Sequence, residues 1–299
     1  MDINNSTKMK GKIYMKRNYV AYDYENTFSD PLELVNEEMI KKLLDQGKIN
    51  SVYATKTIKA GNQLEIEIYP EFTKKQAKQY ELIKKHNQAQ KNLNDRNARK
   101  KVERLINTNF DKKSLWVTLT YDDLNLPESL EDALKNMKNY IRRINYRREK
   151  TGLSKAKYIY VTEWSTSKNK IRCHHHLIID GGLNMEIIED TWKAGRRNNV
   201  RKVDPDKDGL TGLANYLVKD PKGAKRWRSS TNLKKPKETK SYHGFKASHV
   251  KKMVKDNSKV QQMTEAKHKN YEYTKSEIKY NEINGRFYIY VRMRERRNE

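Results

Sequence analysis

Three histidines follow one another in the stretch RCHHHLIID, residues 172–180, although the whole chain contains only seven histidines. The apolar residues that end this stretch predict a β-strand, in which alternate side chains face the same side of the sheet. His174 and His176 would therefore share one face, about 7 Å apart along the strand, and could bind one metal ion. His175 would face the opposite side, where we interpret it as a structural residue.

A third ligand for such an ion is available in the preceding predicted strand, YIYVTEWS, residues 158–165. Glu163 lies near the end of this strand that a short loop brings back toward His174. One carboxylate and two imidazoles leave open coordination positions, which suits Mg²⁺ or Mn²⁺, with Mn²⁺ more tolerant of imidazole. Zn²⁺ would also accept these ligands. The H-x-H spacing alone is a weak signal, since structural histidines are more common than metal ligands.

A candidate nucleophile follows in GLTGLANYLVKD, residues 209–220, where the apolar spacing predicts a helix with one apolar stripe. Tyr216 and Lys219 lie off that stripe and three residues apart, so they would be neighbours on the helix flank. A tyrosine hydroxyl can form a covalent intermediate, provided that a base or a cation assists its ionisation. Lys219 could supply that field or hold an attacked phosphate. The chain has nineteen tyrosines, so an ordinary partly buried tyrosine beside a surface lysine is the alternative interpretation.

The elements that would carry these residues alternate in the order β-α-β-β-α-β-α. The strands are predicted at residues 114–123, 158–165, 172–180 and 198–204, and the helices at residues 128–148, 185–193 and 209–220. A β-α-β-β-α-β core is the split βαβ pattern, an antiparallel sheet with helices on one face. We therefore predict an α+β fold of the ferredoxin or RNA-recognition-motif type, with additions at both ends.

The core divides the chain into three predicted segments, which are residues 1–108, 109–244 and 245–299. The first segment is predicted to contain a helix at 30–48, a hairpin at 55–69 and a long charged helix at 73–108. The last is predicted to contain helical structure at 245–268 and a hairpin that turns on Asn284-Gly285.

The charge of the chain indicates a polyanionic partner. Lysine and arginine outnumber the acidic residues by 64 to 38, which gives a net charge of +26. Cations in such excess are typical of nucleic-acid-binding proteins, because they replace counterions along the phosphates. Basic runs at 142–148, 196–202 and 222–240 flank the predicted core, and aromatic residues in two of them could stack on unpaired bases. The candidate nucleic-acid contacts are Arg142, Arg143, Arg196, Arg197, Lys225, Arg226, Trp227 and Arg228.

Other features of the sequence narrow the class of protein. The single cysteine, Cys173, excludes an internal disulfide, which is typical of a reducing cytosol. No run reaches the roughly 18 apolar residues that a membrane-spanning helix needs. We therefore expect a cytoplasmic protein without a membrane partner. The chain also lacks the G-x-x-x-x-G-K-[ST] pattern of a P-loop ATPase.

Taken together, these motifs resemble those of the HUH endonucleases, and more narrowly the rolling-circle replication initiators of plasmids and single-stranded phages. The resemblance covers roughly residues 110–240 and rests on the WVTLTYDD strand, Glu163, His174-x-His176 and Tyr216-x-x-Lys219. The tyrosine follows the histidines, as in the initiators, whereas in relaxases it precedes them. One departure is that a histidine, His175, stands where the family usually has a bulky hydrophobic residue. Strand alternation still favours His174 and His176 as the ligands.

The resemblance implies a DNA strand transfer. Glu163, His174 and His176 would hold Mn²⁺ or Mg²⁺, and Tyr216 would attack a phosphate in single-stranded origin DNA. The products would be a 5′-phosphotyrosyl enzyme and a free 3′-OH that primes a host polymerase. Unwinding would fall to a separate helicase. The regions outside the core would serve origin recognition or dimerisation, so a homodimer is a further expectation.

Two alternatives remain open from the sequence. A transposase or mobilisation enzyme would use the same core and the same chemistry. A non-catalytic nucleic-acid-binding protein could use the same split βαβ sheet, as RNA-recognition motifs do. Such motifs present exposed aromatic residues in a K/R-G-F/Y pattern, and the predicted central strands lack this pattern.

Overall fold

The structure is a computed structural model that describes residues 51–72, 88–164, 172–196, 198–217, 227–281 and 286–296. The helices within these ranges are α1 (Gln88–Asn109), α2 (Leu130–Lys150), α3 (Met185–Asp190), α4 (Thr211–Leu217), α5 (Ala247–Lys255) and α6 (Ser258–Lys267). The first five strands are β1 (Ser51–Ala60), β2 (Gln63–Phe72), β3 (Leu115–Thr120), β4 (Tyr158–Glu163) and β5 (His174–Ile179). The other strands are β6 (Asn199–Lys202), β7 (Arg228–Ser229), β8 (Lys237–Ser241), β9 (Tyr271–Asn281) and β10 (Arg286–Glu295).

Five of the strands form an antiparallel sheet, here called the site sheet, in the order β6-β3-β5-β4-β7. The first four of these strands follow the split βαβ connectivity, and β7 extends the edge beside β4. Each predicted core strand is present, in the predicted order. The predicted α+β class with an antiparallel sheet is therefore confirmed.

Helices cover both faces of the site sheet. On one face, the apolar side chains of α2 and α3 pack on alternate residues such as Val117 and Leu177. On the other face, residues of α1 and α4 pack on Trp116, Ile159 and Ile178. The prediction of helices on one face is correct for the two helices inside the split βαβ unit, α2 and α3. It is wrong for the whole sheet, because α1 and α4 bury the second apolar face.

The second sheet, here called the hairpin sheet, joins the two ends of the chain in the order β8-β1-β2-β10-β9. The predicted hairpin around Gly61-Asn62 is present as β1 and β2, and Gly61 adopts a φ of +60°, which favours glycine. Helices α5 and α6 pack on one face of this sheet through Val250, Met253 and Val260. The three-segment division stays a prediction, although strands from all three segments pair in this one sheet.

Some predicted elements lie outside the described residues. These are the helix at 30–48, the first part of the helix at 73–108 and the Asn284-Gly285 turn. The strands on either side of that turn, β9 and β10, do pair with each other. None of the helices in the described ranges is both long and apolar enough to cross a membrane. The expected cytoplasmic location stays a prediction.

Helix α1 lies between the two sheets and has two chemically different faces. Val102 and Ile106 pack on the site sheet, whereas Arg104 points toward the hairpin sheet. The Arg104 guanidinium binds Glu65 and Glu67 of β2, with its Nη2 atom 2.8 Å from a carboxylate oxygen of each. All three side chains are buried. Burial alone would raise the pKa of Glu65, but the guanidinium outweighs it and the pKa is lowered. For Glu67 burial wins and the pKa is raised.

We expect Arg104→Met to lower the free energy of unfolding by about 3–5 kcal/mol, because it leaves buried carboxylates without their cation. Urea unfolding followed by circular dichroism measures this loss. Lys56→Met is the matched control, since Lys56 forms a more exposed pair with Glu238 at 3.1 Å. That change should cost less than about 1 kcal/mol. Equal losses in the two variants would contradict the proposed importance of the buried pair.

Candidate functional site

Four of the predicted site residues lie together on the face of the site sheet that α1 and α4 cover. Glu163 ends β4 and is paired directly with His174, the first residue of β5. His176 lies two residues further along the same strand, so its side chain points to the same face. Helix α4 brings Tyr216 over this point. Strand alternation and strand pairing thus assemble the group from three separate elements.

The potential ligand atoms of Glu163, His174 and His176 converge within 4.8 Å of one another. The two histidine Nε2 atoms are 3.1 Å apart. The Glu163 carboxylate oxygens lie 3.4 Å from Nε2 of His174 and 3.5 Å from Nε2 of His176. The side chain of His176 is only 6% exposed, whereas Glu163 is 39% exposed. The group is therefore anchored in the interior and open to solvent on one side.

Partners behind the two imidazoles set their orientation. Nδ1 of His174 lies 2.9 Å from the main-chain oxygen of Arg172. That oxygen can only accept, so this Nδ1 carries the proton and leaves the Nε2 lone pair of the neutral ring for a ligand. Nδ1 of His176 lies 3.2 Å from the hydroxyl of Thr118 on β3. The hydroxyl can accept a proton from this Nδ1, which then also leaves its Nε2 as a metal ligand.

The donor set fits a divalent cation. It consists of one carboxylate and two imidazole nitrogens, each supported from behind or partly open to solvent. Such a mixed set is accepted by Mn²⁺ and Zn²⁺, and by Mg²⁺ when water or phosphate oxygens complete the coordination. It is the one group of this kind within the described ranges of the chain.

The hydroxyl of Tyr216 lies 3.4 Å from Nε2 of His176, and the two rings contact each other edge to face. The indole of Trp116 stacks on His176 at a centroid distance of 5.7 Å and contacts the edge of Tyr216. Trp116 is buried, but Tyr216 is 47% exposed. The phenol oxygen therefore lies beside the candidate ligand atoms and remains accessible from solvent.

Sequence reasoning did not single out Trp116 and Thr118 as members of this site. Both lie on β3, and they face the same side because they are two residues apart. Their place becomes visible only from the pairing of β3 with β5, which sets Thr118 opposite His176. The T-L-T pattern of the strand was the signal available in the sequence.

His175 points to the opposite face and is fully buried. Its Nε2 lies 2.8 Å from the Tyr121 hydroxyl, and its Nδ1 lies 2.9 Å from the Thr162 hydroxyl. Burial, followed by the neighbouring His174 and His176, lowers the pKa of His175 from 6.5 to about 3. This histidine is therefore a neutral residue with both ring nitrogens partnered, in agreement with the structural role that strand alternation predicts.

The remaining candidates are more scattered. Lys219, Arg197, Lys225 and Arg226 lie outside the described residues. Arg142 and Arg143 lie on α2, against the face of the sheet opposite the site, and Arg143 donates from Nε to the main-chain oxygen of Thr191.

The other three candidates occupy different surroundings. Arg196 is exposed in a groove that also includes Asp122 and Asn198. Trp227 packs at the edge of the apolar cluster on the site face. Arg228 is paired with Tyr160 and shares its side of the sheet, which is the side of α2. The predicted nucleic-acid contacts therefore do not form one continuous patch among the described residues.

Comparison with known proteins gives one match. Residues 114–221 match a family model of replication-associated proteins, the ORF2 family. The matched range is just over a third of the chain, and it contains all four residues that converge at the site. This match is consistent with a replication initiator and with DNA as a partner. Neither the curated proteins nor the solved structures give a significant match.

We expect His175 to make the stability of the protein dependent on pH in acid. The unfolded chain binds a proton at this histidine near pH 6.5, whereas the folded chain resists protonation down to about pH 3. Stability that is present above pH 6.5 is therefore lost as the pH falls through this window, by about 1.4 kcal/mol per pH unit.

Urea unfolding between pH 4 and 7 in the presence of a chelator tests this expectation. The control is His175→Gln, whose amide does not titrate but can still donate and accept hydrogen bonds. The difference between wild type and this variant should change with pH by the stated slope. Parallel stability curves would show that His175 does not resist protonation in the fold.

Proposed function

We propose that the protein is a replication initiator that nicks single-stranded origin DNA by metal-dependent transesterification, as HUH-type initiators do. The observation that carries this proposal is the convergence of the Tyr216 hydroxyl with the ligand atoms of Glu163, His174 and His176. The match of residues 114–221 to a replication-associated family supports it independently. DNA as the substrate agrees with the net charge of +26.

In the proposed reaction the Tyr216 oxygen attacks the phosphorus of one phosphodiester. A bond forms between this oxygen and phosphorus, and the bond from phosphorus to the 3′-oxygen breaks. The phenol proton is lost to solvent or a base, and the departing 3′-oxygen gains a proton. The products are a 5′-phosphotyrosyl linkage on Tyr216 and a free 3′-OH. Because one phosphoester bond replaces another, the step can reverse and needs no ATP.

Glu163, His174 and His176 would hold Mn²⁺ or Mg²⁺ in this proposal. When bound, such an ion polarises a phosphoryl oxygen and stabilises the charge that develops on it. The chain's own residues orient the reaction. Thr118 and the Arg172 main-chain oxygen fix the two imidazoles, and Trp116 packs against both His176 and Tyr216.

The exposure of the site suits a flexible, unpaired substrate. Tyr216 and Glu163 are both partly open to solvent, so a phosphate can approach from that side. The 3′-OH would prime a host polymerase, and a separate helicase would unwind the duplex, because the chain has no P-loop motif. A homodimer remains part of the proposal as a means of supplying a second nucleophile for termination.

A non-catalytic RNA-recognition-type protein is less compatible with the structure. Such proteins read unpaired bases with aromatic residues on an exposed sheet face. Here both faces of the site sheet are covered by helices, and Trp116, Ile159 and Ile178 are buried. A transposase or mobilisation enzyme would share the proposed chemistry, but the family match favours replication.

We expect Tyr216→Phe to abolish the covalent protein–DNA adduct, because it removes the attacking oxygen and little else. The measurement is a denaturing gel after incubation with an end-labelled single-stranded origin oligonucleotide and Mn²⁺. Tyr280→Phe is the matched control, because Tyr280 is similarly exposed but lies on the hairpin sheet. An adduct that persists in Tyr216→Phe would identify another nucleophile and overturn the assignment.

We expect Thr118→Val to weaken Mn²⁺ binding by about 10-fold or more, because His176 loses the partner that orients its ring. His176→Ala should weaken it further by removing a ligand. Isothermal titration with Mn²⁺ measures both effects without any DNA. Thr162→Val is the matched control, since Thr162 supports His175 on the opposite face. Mn²⁺ affinity that is unchanged in His176→Ala would exclude this histidine as a ligand.

A further inference from the structure

We propose that Arg292, Glu103 and Asn107 are positioning residues that fix the nucleophile helix α4 over the site. This inference rests on the proposed function, because it assigns α4 the role of carrying the attacking tyrosine. The three residues come from β10 and α1, and they contact the chain at residues 208–211, where α4 begins. We call these three residues the helix clamp.

Helix α4 needs such support because it has only seven residues, Thr211–Leu217. A helix this short is unstable by itself, so its position depends on tertiary contacts. Its inner side packs through Ala214 and Leu217 against the apolar cluster that includes Val102 and Ile106 of α1. The apolar contacts hold the helix against α1, and they are not directional. The start of the helix is where directional contacts act.

Asn107 makes the first directional contact. Its side-chain oxygen accepts a hydrogen bond of 2.8 Å from the main-chain N–H of Leu210, and its amide nitrogen donates to the main-chain oxygen of Glu103. The adjoining Gly209 has a φ of +69°, and a Cβ there would lie 2.3 Å from the Asn107 oxygen. Glycine is thus required by both the backbone angle and the close approach of Asn107. The entry to α4 is tightly fitted to α1.

Glu103 and Arg292 make the second contact, at the first residue of α4. The Arg292 guanidinium binds the Glu103 carboxylate, and its Nη1 lies 3.4 Å from the Thr211 hydroxyl. That hydroxyl lies 2.9 Å from Glu103 Oε1 and 2.6 Å from the main-chain oxygen of Asp208. A hydroxyl has one proton, so it donates to one of these oxygens at a time. Arg292, Glu103 and Thr211 are all at most 9% exposed.

The clamp lies wholly outside the range that matches the replication-associated family, which is residues 114–221. Arg292 belongs to β10 of the hairpin sheet, and it touches neither Tyr216 nor the candidate metal ligands in any described contact. It therefore acts through Thr211 and the helix rather than on the reacting atoms. The hairpin sheet thereby gains a role in the reaction that its sequence does not suggest.

The expected consequence is a loss of rate without a loss of DNA binding. A displacement of about 1 Å at a reacting group can lower a rate by roughly 100-fold. Arg292→Met removes the cation and leaves Glu103 buried without it, so α4 loses its fixed starting point. We expect the single-turnover rate of adduct formation to fall about 10- to 100-fold at saturating DNA. Affinities for the oligonucleotide and for Mn²⁺ should stay within about threefold, since the ligands are not part of the clamp.

The experiment uses the full chain, the single-stranded origin oligonucleotide and Mn²⁺. Arg292→Lys should restore most of the rate by keeping the cation. Asn107→Ala is a second variant, which removes the Leu210 contact but leaves the ion pair in place. Arg294→Met is the matched control, because Arg294 lies on the same strand and pairs with the more exposed Glu272. A rate in Arg292→Met and Asn107→Ala equal to that of Arg294→Met would overturn the inference.

Amide hydrogen exchange of residues 208–217 is measured on the same variants and does not require activity. Faster exchange in Arg292→Met and Asn107→Ala than in wild type and Arg294→Met is expected. Unchanged exchange overturns the clamp even if the proposed nicking reaction is correct. If wild type forms no Tyr216-dependent adduct, the proposed function fails, and the exchange data still decide whether the clamp fixes α4.

Discussion

The site depends on the antiparallel register of three neighbouring strands, β3, β5 and β4. In this register Glu163 lies opposite His174, and Thr118 lies opposite His176. Side chains alternate along a strand, so a slip of one residue would turn His176 away and bring His175 onto the site face. The slip is opposed by burial on both sides of the sheet. Leu177 and Ile178, adjacent residues that face opposite sides, are both fully buried.

This dependence explains which parts of the site were predictable. The assignment of His174 and His176 to one face needed only the two-residue period of a strand. The location of Glu163 near them needed only the short connection between two adjacent strands. Trp116 and Thr118 could not be placed in the same way, because β3 and β5 are neighbours in the sheet but distant in the chain. Long-range pairing of this kind leaves no local periodicity to read.

The fold shows the same division between local and distant information. The core elements were predictable because strands alternate and helices such as α2 repeat their apolar residues at helical spacing. The placement of α1 was not predictable, because its sequence is highly charged and resembles a solvent-facing helix. Its buried surface includes Glu103 and Arg104, which are charged residues that find their partners only on β10 and β2. Charged residues that pair across distant strands carry no signal that separates them from surface residues.

Buried ion pairs of this kind make the arrangement of the two sheets specific. Apolar contacts between α1 and its surroundings would tolerate several packings, whereas a buried charge is stable only against its own partner. Arg104 connects α1 to β2, and Arg292 connects α1 to β10. Each ion pair therefore penalises any shift of the helix along the hairpin sheet.

The late position of β10 in the chain has a consequence for the order in which the molecule assembles. The strands of the site sheet that carry Glu163, His174 and His176 are joined by short connections, and such pairings close early because their loops are small. Arg292 must instead contact Glu103 across 189 residues of chain and Thr211 across 81. A growing polypeptide is therefore expected to gather its three candidate ligands well before its nucleophile helix is fixed. Completion of the hairpin sheet would thus act as the last step of maturation, so that the attacking group is aligned only in a chain that has folded to its final strands.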